Sequence, residues 1–346
     1  MVFGLFGCFH CYCLIVFSPE LTKAAMKVLL RCTSSVVDKT TVEHILSHFR
    51  DAIEQEEQEN RERGREEDPN EYIISFENVS RFEDVAAGPF RAFMRQQAIK
   101  SISIADVNGA TAQDILLAVG GTFFNIRYFL IQNVHGFTSI SSSFLTVFRK
   151  VTSLLEISLT NIDLPLDLIE QWSTLYGNNS HSVLQKIKLI NFELEDSLRC
   201  TKLLSRIIEN NKNLAEIQIE PRRSSGRIGF KNLGRALSAL PCLKQLTLCM
   251  IDVERDPLGL AEMFGRESPL RATLKELSMI SCDLTCRTVQ FLLQWDGFQE
   301  LSVLDVSENG LLENSEILGL CNRYPNVSAT TEADEGDWDY TQQPMF

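Results

Sequence analysis

A hydrophobic triplet recurs along this chain from residue 71 to its C-terminal part, and that recurrence limits what the chain can fold into more than any other feature. Its form is L-x-x-L-x-L, with Ile, Val, Met or Phe accepted. The second and third apolar positions are Ile74/Phe76, Ile102/Ile104, Phe129/Ile131, Ile157/Leu159, Ile187/Leu189, Ile217/Ile219, Leu246/Leu248, Leu277/Met279 and Leu304/Val306. First positions fall at 71, 99, 126, 154, 184, 214, 243, 274 and 301, so the intervals are 28, 27, 28, 30, 30, 29, 31 and 27 residues. Self-similarity at a period in this range is the mark of a stacked repeat architecture.

Each triplet predicts a strand. In Leu243-Lys244-Gln245-Leu246-Thr247-Leu248, residues 246 and 248 share one face and Thr247 points the other way, the period of a half-buried strand. A turn and an apolar stretch at helical spacing follow, as in Leu164–Trp172, Leu198–Ile208 and Val289–Trp295. One strand and one helix cannot bury their apolar faces alone; stacked neighbours make a continuous core.

This pattern resembles the leucine-rich repeat family, and its period and helix length resemble the ribonuclease-inhibitor-like subclass. The resemblance covers residues 71–330. The fullest matches to L-x-x-L-x-L-x-x-[N/C]-x-L are Leu274–Leu284, with Cys282, and Leu301–Leu311, with Asn309. The Asn/Cys position elsewhere holds Val79, Val107, Val134, Ile162, Phe192, Arg222 and Ile251, and Asn stands one place earlier at Asn78, Asn133, Asn161 and Asn191. An apolar ladder in place of the usual polar one is therefore expected over much of the array. The resemblance implies an α/β leucine-rich-repeat solenoid: a curved parallel sheet on the concave side, helices on the convex side, and an N-terminal helical cap.

The expected organisation is an apolar N-terminal segment at 1–19, a helical cap at 20–60, a charged connection at 61–70, the repeats at 71–330, and an acidic tail at 331–346. In the cap, Glu20–Arg31 and Thr41–Asn60 read as helices, the second capped by Thr40-Thr41 and carrying Val42, Ile45, Leu46, Phe49 and Ile53 as one stripe. Met1–Phe17 is apolar and rich in aromatics and cysteine but lacks the basic start and small-residue cleavage site of a signal peptide. It reads as a cap element or, alternatively, a membrane anchor. Cys8, His10, Cys11 and Cys13 have no second ligand pair after them, so no metal is expected there.

The net charge of −13 is concentrated. Glu54–Glu71 holds nine acids and three bases, and Glu332–Asp339 five acids. The remainder is close to neutral, which argues against nucleic acid, whose phosphates demand clustered Lys and Arg. Cys249, Cys282, Cys286 and Cys321 stand at or beside core positions and read as small buried hydrophobes in a reducing compartment. A cytoplasmic location follows, with membrane association through residues 1–17 as the alternative. His44 and His48 are four apart on a helix, but H-I-L-S-H has no glutamate for base chemistry. No catalytic residue, cofactor or metal is expected.

Binding is expected where strand residues between the apolar ones face the concave side. Tyr128 and Leu130, with Ile73 nearby, suggest an apolar patch, and Glu156, Lys186, Lys188 and Glu216 a charged surround. Alternatively, the N-terminal helices fold over Tyr128 and Leu130. Arg222 and Arg223 open the most basic stretch of the repeats, Arg222–Arg227, which reads as a solvated loop or a seat for an acidic peptide or phosphate. The expectation is a non-enzymatic scaffold that binds a protein partner. The alternatives are an F-box-like substrate adaptor of a ubiquitin ligase, using residues 19–60, and a regulator of a small GTPase.

Overall fold

A computed structural model of the chain describes residues 2–8, 11–16, 27–32, 36–62, 71–96, 99–119, 126–136, 143–146, 153–176, 182–223, 228–253, 257–265, 267–285, 288, 300–309, 319, 322 and 328–330. The chain divides into two compact units, Met1–Ile162 and Asp163–Phe346, and both are α/β.

The first unit contains β1 (Val2–Cys8), β2 (Cys11–Val16), β3 (Lys27–Cys32), β4 (Val36–Val37), α1 (Lys39–Glu62), β5 (Glu71–Glu77), β6 (Arg81–Phe82), α2 (Asp84–Gln96), β7 (Ile99–Ala105), α3 (Gly109–Val119), β8 (Tyr128–Gln132) and β9 (Glu156–Thr160). β1, β2 and β3 pair antiparallel. From β3 onward the row β3-β5-β7-β8-β9 is parallel and follows chain order. The triplets are in register: Ile74, Ile102, Phe129 and Ile157 are successive Cα partners, each at most 1% exposed. Under this row Phe76, Phe82 and Phe90 meet edge to face, with ring centroids 5.5–6.3 Å apart.

The second unit contains β10 (Asp163–Leu164), α4 (Leu166–Tyr176), β11 (Lys186–Leu194), α5 (Ser197–Asn210), β12 (Glu216–Pro221), β13 (Ile228–Gly229), α6 (Phe230–Ser238), β14 (Gln245–Cys249), β15 (Ile251–Asp252), α7 (Pro257–Phe264), α8 (Leu270–Thr273), β16 (Glu276–Ile280), β17 (Val303–Asp305) and β18 (Ser328–Thr330). β11-β12-β14-β16-β17-β18 is again a parallel row in chain order. Ile187, Ile217, Leu246, Leu277 and Leu304 align across five strands, each at most 2% exposed. Burying each such side chain contributes roughly 1.5–3 kcal/mol, and the stacking makes that burial mutual. Helices α4 to α7 pack in sequence on each other. The spacing Leu168, Ile169, Trp172 and Tyr176 puts one buried face on α4.

The end of each strand explains the displaced asparagines. The residue two places after the third apolar position is left-handed in eight repeats: Asn78, Asp106, Asn133, Asn161, Asn191, Met250, Ser281 and Glu308, with φ between 50° and 57°. Asparagine and aspartate tolerate this region better than other non-glycine residues. The turned backbone then donates to the next repeat, Asn78 N to Ala105 O at 3.1 Å, Asn133 N to Thr160 O at 3.0 Å, and Met250 N to Ile280 O at 3.0 Å. In the first unit the side chains add a ladder: Asn133 Nδ2 donates to Asp106 Oδ1 at 2.8 Å, and Asn161 Nδ2 to Asn133 Oδ1. Repeat six breaks the pattern, because Pro221 occupies the position and its ring holds φ negative. The β11–β12 register shifts there, between Ile190 and Phe192.

The turn sends the next side chain inward. Val79, Val107, Val134, Ile162, Phe192 and Ile251 are all at most 3% exposed, the apolar ladder expected from the sequence. Asn309 is a buried polar exception. It is 6% exposed, donates to the carbonyls of Met279, Val306 and Ser307, and accepts from Cys282 N and Leu284 N at 2.9 and 3.0 Å.

Two expectations for residues 20–60 need correction. Residues 27–32, read as the end of a helix, form β3, because β2 on one side and β5 on the other supply its backbone partners. The described residues between 27 and 62 thus hold the strands β3 and β4 and the helix α1, and residues 20–26 of the expected first helix lie outside the described residues. The cap of α1 is Asp38, whose Oδ1 accepts from Thr41 N at 2.6 Å, and not Thr40-Thr41. That hydrogen bond holds the Asp38 carboxyl below the usual carboxylate range. Val42 and Leu46 are buried as expected. The helix expected at Val289–Trp295 and the acidic tail 331–346 lie outside the described residues. No helix among the described residues is long and apolar enough to cross a membrane.

Candidate functional site

Side chains that do not point into the core of a strand row point to its other face, and the two units treat that face differently. In the first unit it is covered along β5 and β7: Ile73, Ser75, Glu77, Ser101 and Ser103 are all at most 8% exposed. Ser75 Oγ donates to Glu77 Oε1 at 2.9 Å. Of the apolar patch expected of Ile73, Tyr128 and Leu130, only the Ile73 end is buried, and the β8 positions are as exposed as their counterparts in the second unit. Ile73 is buried, and Tyr128 and Leu130 are half-buried on β8. Glu156, on β9, is also buried.

In the second unit the corresponding positions are half-exposed and lie in two straight rows. One runs Lys186, Glu216, Gln245, Glu276 and Val303; the other Lys188, Gln218, Thr247, Ser278 and Asp305. Val303 is the exposed member and the apolar one. The β11 edge carries a compact charge group: Glu216 Oε2 lies 2.8 Å from Lys186 Nζ and Oε1 2.8 Å from Lys188 Nζ. The two lysines reach one carboxylate because residues two apart on a strand share a face and Glu216 is the Cα partner of Lys186. Burial alone would raise the Glu216 pKa; hydrogen bonds and charge from both ammonium groups reverse that and hold it below the usual carboxylate range.

Sequence reasoning brought Lys186, Lys188 and Glu216 together correctly but missed their neighbour Glu220. Its carboxylate accepts from Gln218 Nε2 at 2.6 Å and from the Cys249 thiol, and burial nonetheless pushes its pKa up. The Cys249 thiol is itself raised far, by burial first and then by the charge of Glu220. A thiol held in that state is a poor nucleophile at neutral pH. The signal was present in the register, since Ile219 pairs with Leu248 and the next residues are Glu220 and Cys249. Its meaning depended on burial, which the sequence does not state.

Arg222 and Arg223, expected as partner contacts, are both engaged within the second unit. Arg222 Nη1 lies 3.2 Å from Asp163 Oδ1 and 3.2 Å from Glu193 Oε2. It stands at the position where the leucine-rich repeat pattern would carry Asn or Cys, and it ties β12 to β10 and β11. Arg223 Nη2 lies 3.3 Å from Glu308 Oε2, which also accepts from Ser281 Oγ. Arg223 stays largely open to solvent, with 83% of its side chain exposed, so its pair is weak. Residues 224–227, the rest of the basic stretch, lie outside the described residues. Among the described residues no group of three or more His, Cys, Asp or Glu is placed to hold a metal ion.

No family model matches the chain, and no curated protein does. Solved structures with partial likeness include a protein from Bacteroides fragilis, at 15% identity and TM-score 0.40, covering 69% of this chain and 66% of that one. They also include the complex of Rad7 and Elc1 from yeast, at 14% identity and TM-score 0.44, covering 79% of this chain and 73% of that one. The chain thus spans just under two thirds of the Bacteroides protein's length.

Proposed function

We propose that this chain is a leucine-rich-repeat protein that binds another protein, without chemistry of its own, through the outward side chains of β11, β12, β14 and β16. On this reading the period that starts at residue 71 is one array of repeats, and the β1–β2 hairpin beside β3 closes its N-terminal end. The observation that carries the reading is the contrast between the two outward faces. A face already buried along β5 and β7 has little left to offer, whereas the rows from Lys186 and Lys188 to Glu276 and Ser278 are half-exposed, polar and in register. Such a surface suits a wet, specific protein interface, in which the charged Lys186–Glu216–Lys188 group selects the partner and sets its orientation more than it adds affinity.

A quantitative pull-down from native cell extract tests this. It compares the chain, a Lys186→Glu/Lys188→Glu variant, and a Lys202→Glu/Lys231→Glu variant altered only on exposed helix positions. The expected result is a partner lost with the strand variant and kept with the helix variant, both variants remaining folded by circular dichroism. Equal recovery by all three would remove the strand face from consideration.

A further inference from the structure

At the other end of the same strands, where each helix turns into the next strand, the second unit has an open groove of about 580 Å³. Gln185, Ala215, Lys244 and Lys275 stand along it at equivalent places in four successive repeats, each just before its strand. Their backbones are already used: Ala215 N donates to Gln185 O, Lys244 N to Ala215 O and Lys275 N to Lys244 O, at 2.7–2.8 Å. Recognition in the groove therefore falls to side chains. Its apolar lining comes from Ala215, Pro241 and Ala272. Lys244 and Lys275 also line it, both exposed, and neither ammonium has a hydrogen-bond or ion-pair partner among the described residues. They differ in this from Lys186 and Lys188, which share Glu216, and from Lys212, whose Nζ donates to Ala239 O.

We infer that this groove is a second binding surface, which takes an acidic segment of a protein partner in extended conformation. Four strands in a row span about 14 Å at the usual ~4.8 Å spacing, and an extended peptide covers that in about four residues at ~3.3 Å each. A lone phosphate can bridge the two lysines on neighbouring strands but leaves the apolar lining unoccupied. The apolar lining receives small aliphatic side chains, and the two lysines receive carboxylates. Glu300, at the β17 end of the groove, repels acid there and so places the acidic residues over Lys244 and Lys275. The groove residues directly precede the first outward row, but the two readings are tested on different lysines, so the failure of one does not decide the other.

The probe is a fluorescent peptide of alternating glutamate and alanine, Glu-Ala-Glu-Ala-Glu-Ala, titrated into the full chain by anisotropy. Its lysine counterpart and inorganic phosphate serve as competitors. Cys242 lines the groove and is exposed, so its rate of alkylation, followed by peptide mass spectrometry, reports occupancy directly. Binding is expected to weaken about tenfold in Lys244→Glu/Lys275→Glu, the size of two exposed charge contacts changing sign. It is expected to stay unchanged in Lys202→Glu/Lys231→Glu, altered only on exposed helix positions, and the bound peptide should slow Cys242 alkylation. A Lys244→Gln/Lys275→Gln variant gives a smaller loss if charge is the cause and guards against misfolding. The inference is overturned by any of four results: no binding of the acidic peptide, equal binding of the lysine peptide, displacement by phosphate at matched concentration, or undiminished binding to both lysine variants.

Discussion

Met250 occupies the left-handed turn that Asn or Asp fills in most repeats, at φ 50° and without a side chain suited to it. A non-glycine residue there costs about 1 kcal/mol or more. Met250→Gly is therefore expected to raise stability by roughly 0.5–1 kcal/mol, measured as a higher urea midpoint at unchanged slope. Asn309 points the other way. Its removal leaves the Cys282 and Leu284 amides and three carbonyls without their shared partner, so Asn309→Ala should lose about 2–4 kcal/mol. Two glutamates of the outward face respond to pH with opposite signs. Glu216 titrates lower in the folded chain than its ordinary value of 4.5, so its contribution is complete above that value and lost as acid carries the pH through the lowered one. Glu220 titrates higher, so its contribution is present below 4.5 and lost as pH rises through the raised value. Glu220→Gln should make the chain more stable than the parent at pH 7 and leave it no better at pH 4, by thermal melts at both.

Helices α6 and α7 approach closely through two glycines. A methyl group on Gly234 would stand 2.4 Å from the Gly259 carbonyl oxygen. Ordinarily glycine to alanine inside a helix is favourable by 0.5–1 kcal/mol; here the helices must part, and Gly234→Ala should instead destabilise by roughly 1–3 kcal/mol in denaturant titration. Nothing in the helical periodicity of residues 230–238 distinguishes this glycine, because the constraint comes from another helix. Strands were the legible elements. The triplets placed β5, β7, β8, β9, β11, β12, β14 and β16 because alternation and burial coincide in them. The stretch 27–32 was misread because a short apolar run fits helix and strand alike, and only its neighbours β2 and β5 decide. The displaced asparagines were visible in the sequence, but their left-handed turn and inter-repeat hydrogen bonds were not. Of the candidate site, the Lys186–Glu216–Lys188 group followed from register. The burial of Ile73 and Glu156 did not, since a strand pattern tells which side chains share a face and not whether that face is covered. Arg222 was legible as a basic residue; its ion pairs with Asp163 and Glu193 depend on three strands meeting.

On the scale of the whole molecule, the two units differ in how far their outward strand faces are buried. In the first, β5 and β7 carry a covered outward face, so substitutions at Ser75, Ser101 or Ser103 should act through stability. The row of the second carries a half-exposed one, so substitutions at Gln245, Thr247 or Ser278 should act through binding at unchanged melting temperature. The central claim is that a protein partner lies against that second face. Site-specific photo-crosslinking in native extract tests it most directly, with a benzoylphenylalanine placed in turn at Gln245 and Thr247 on the outward face and at Lys202 and Lys231 on exposed helix positions. The account predicts one partner adduct formed from Gln245 and Thr247 and absent from the helix positions. Adducts of equal yield from the helices, or none from either strand position, would contradict it.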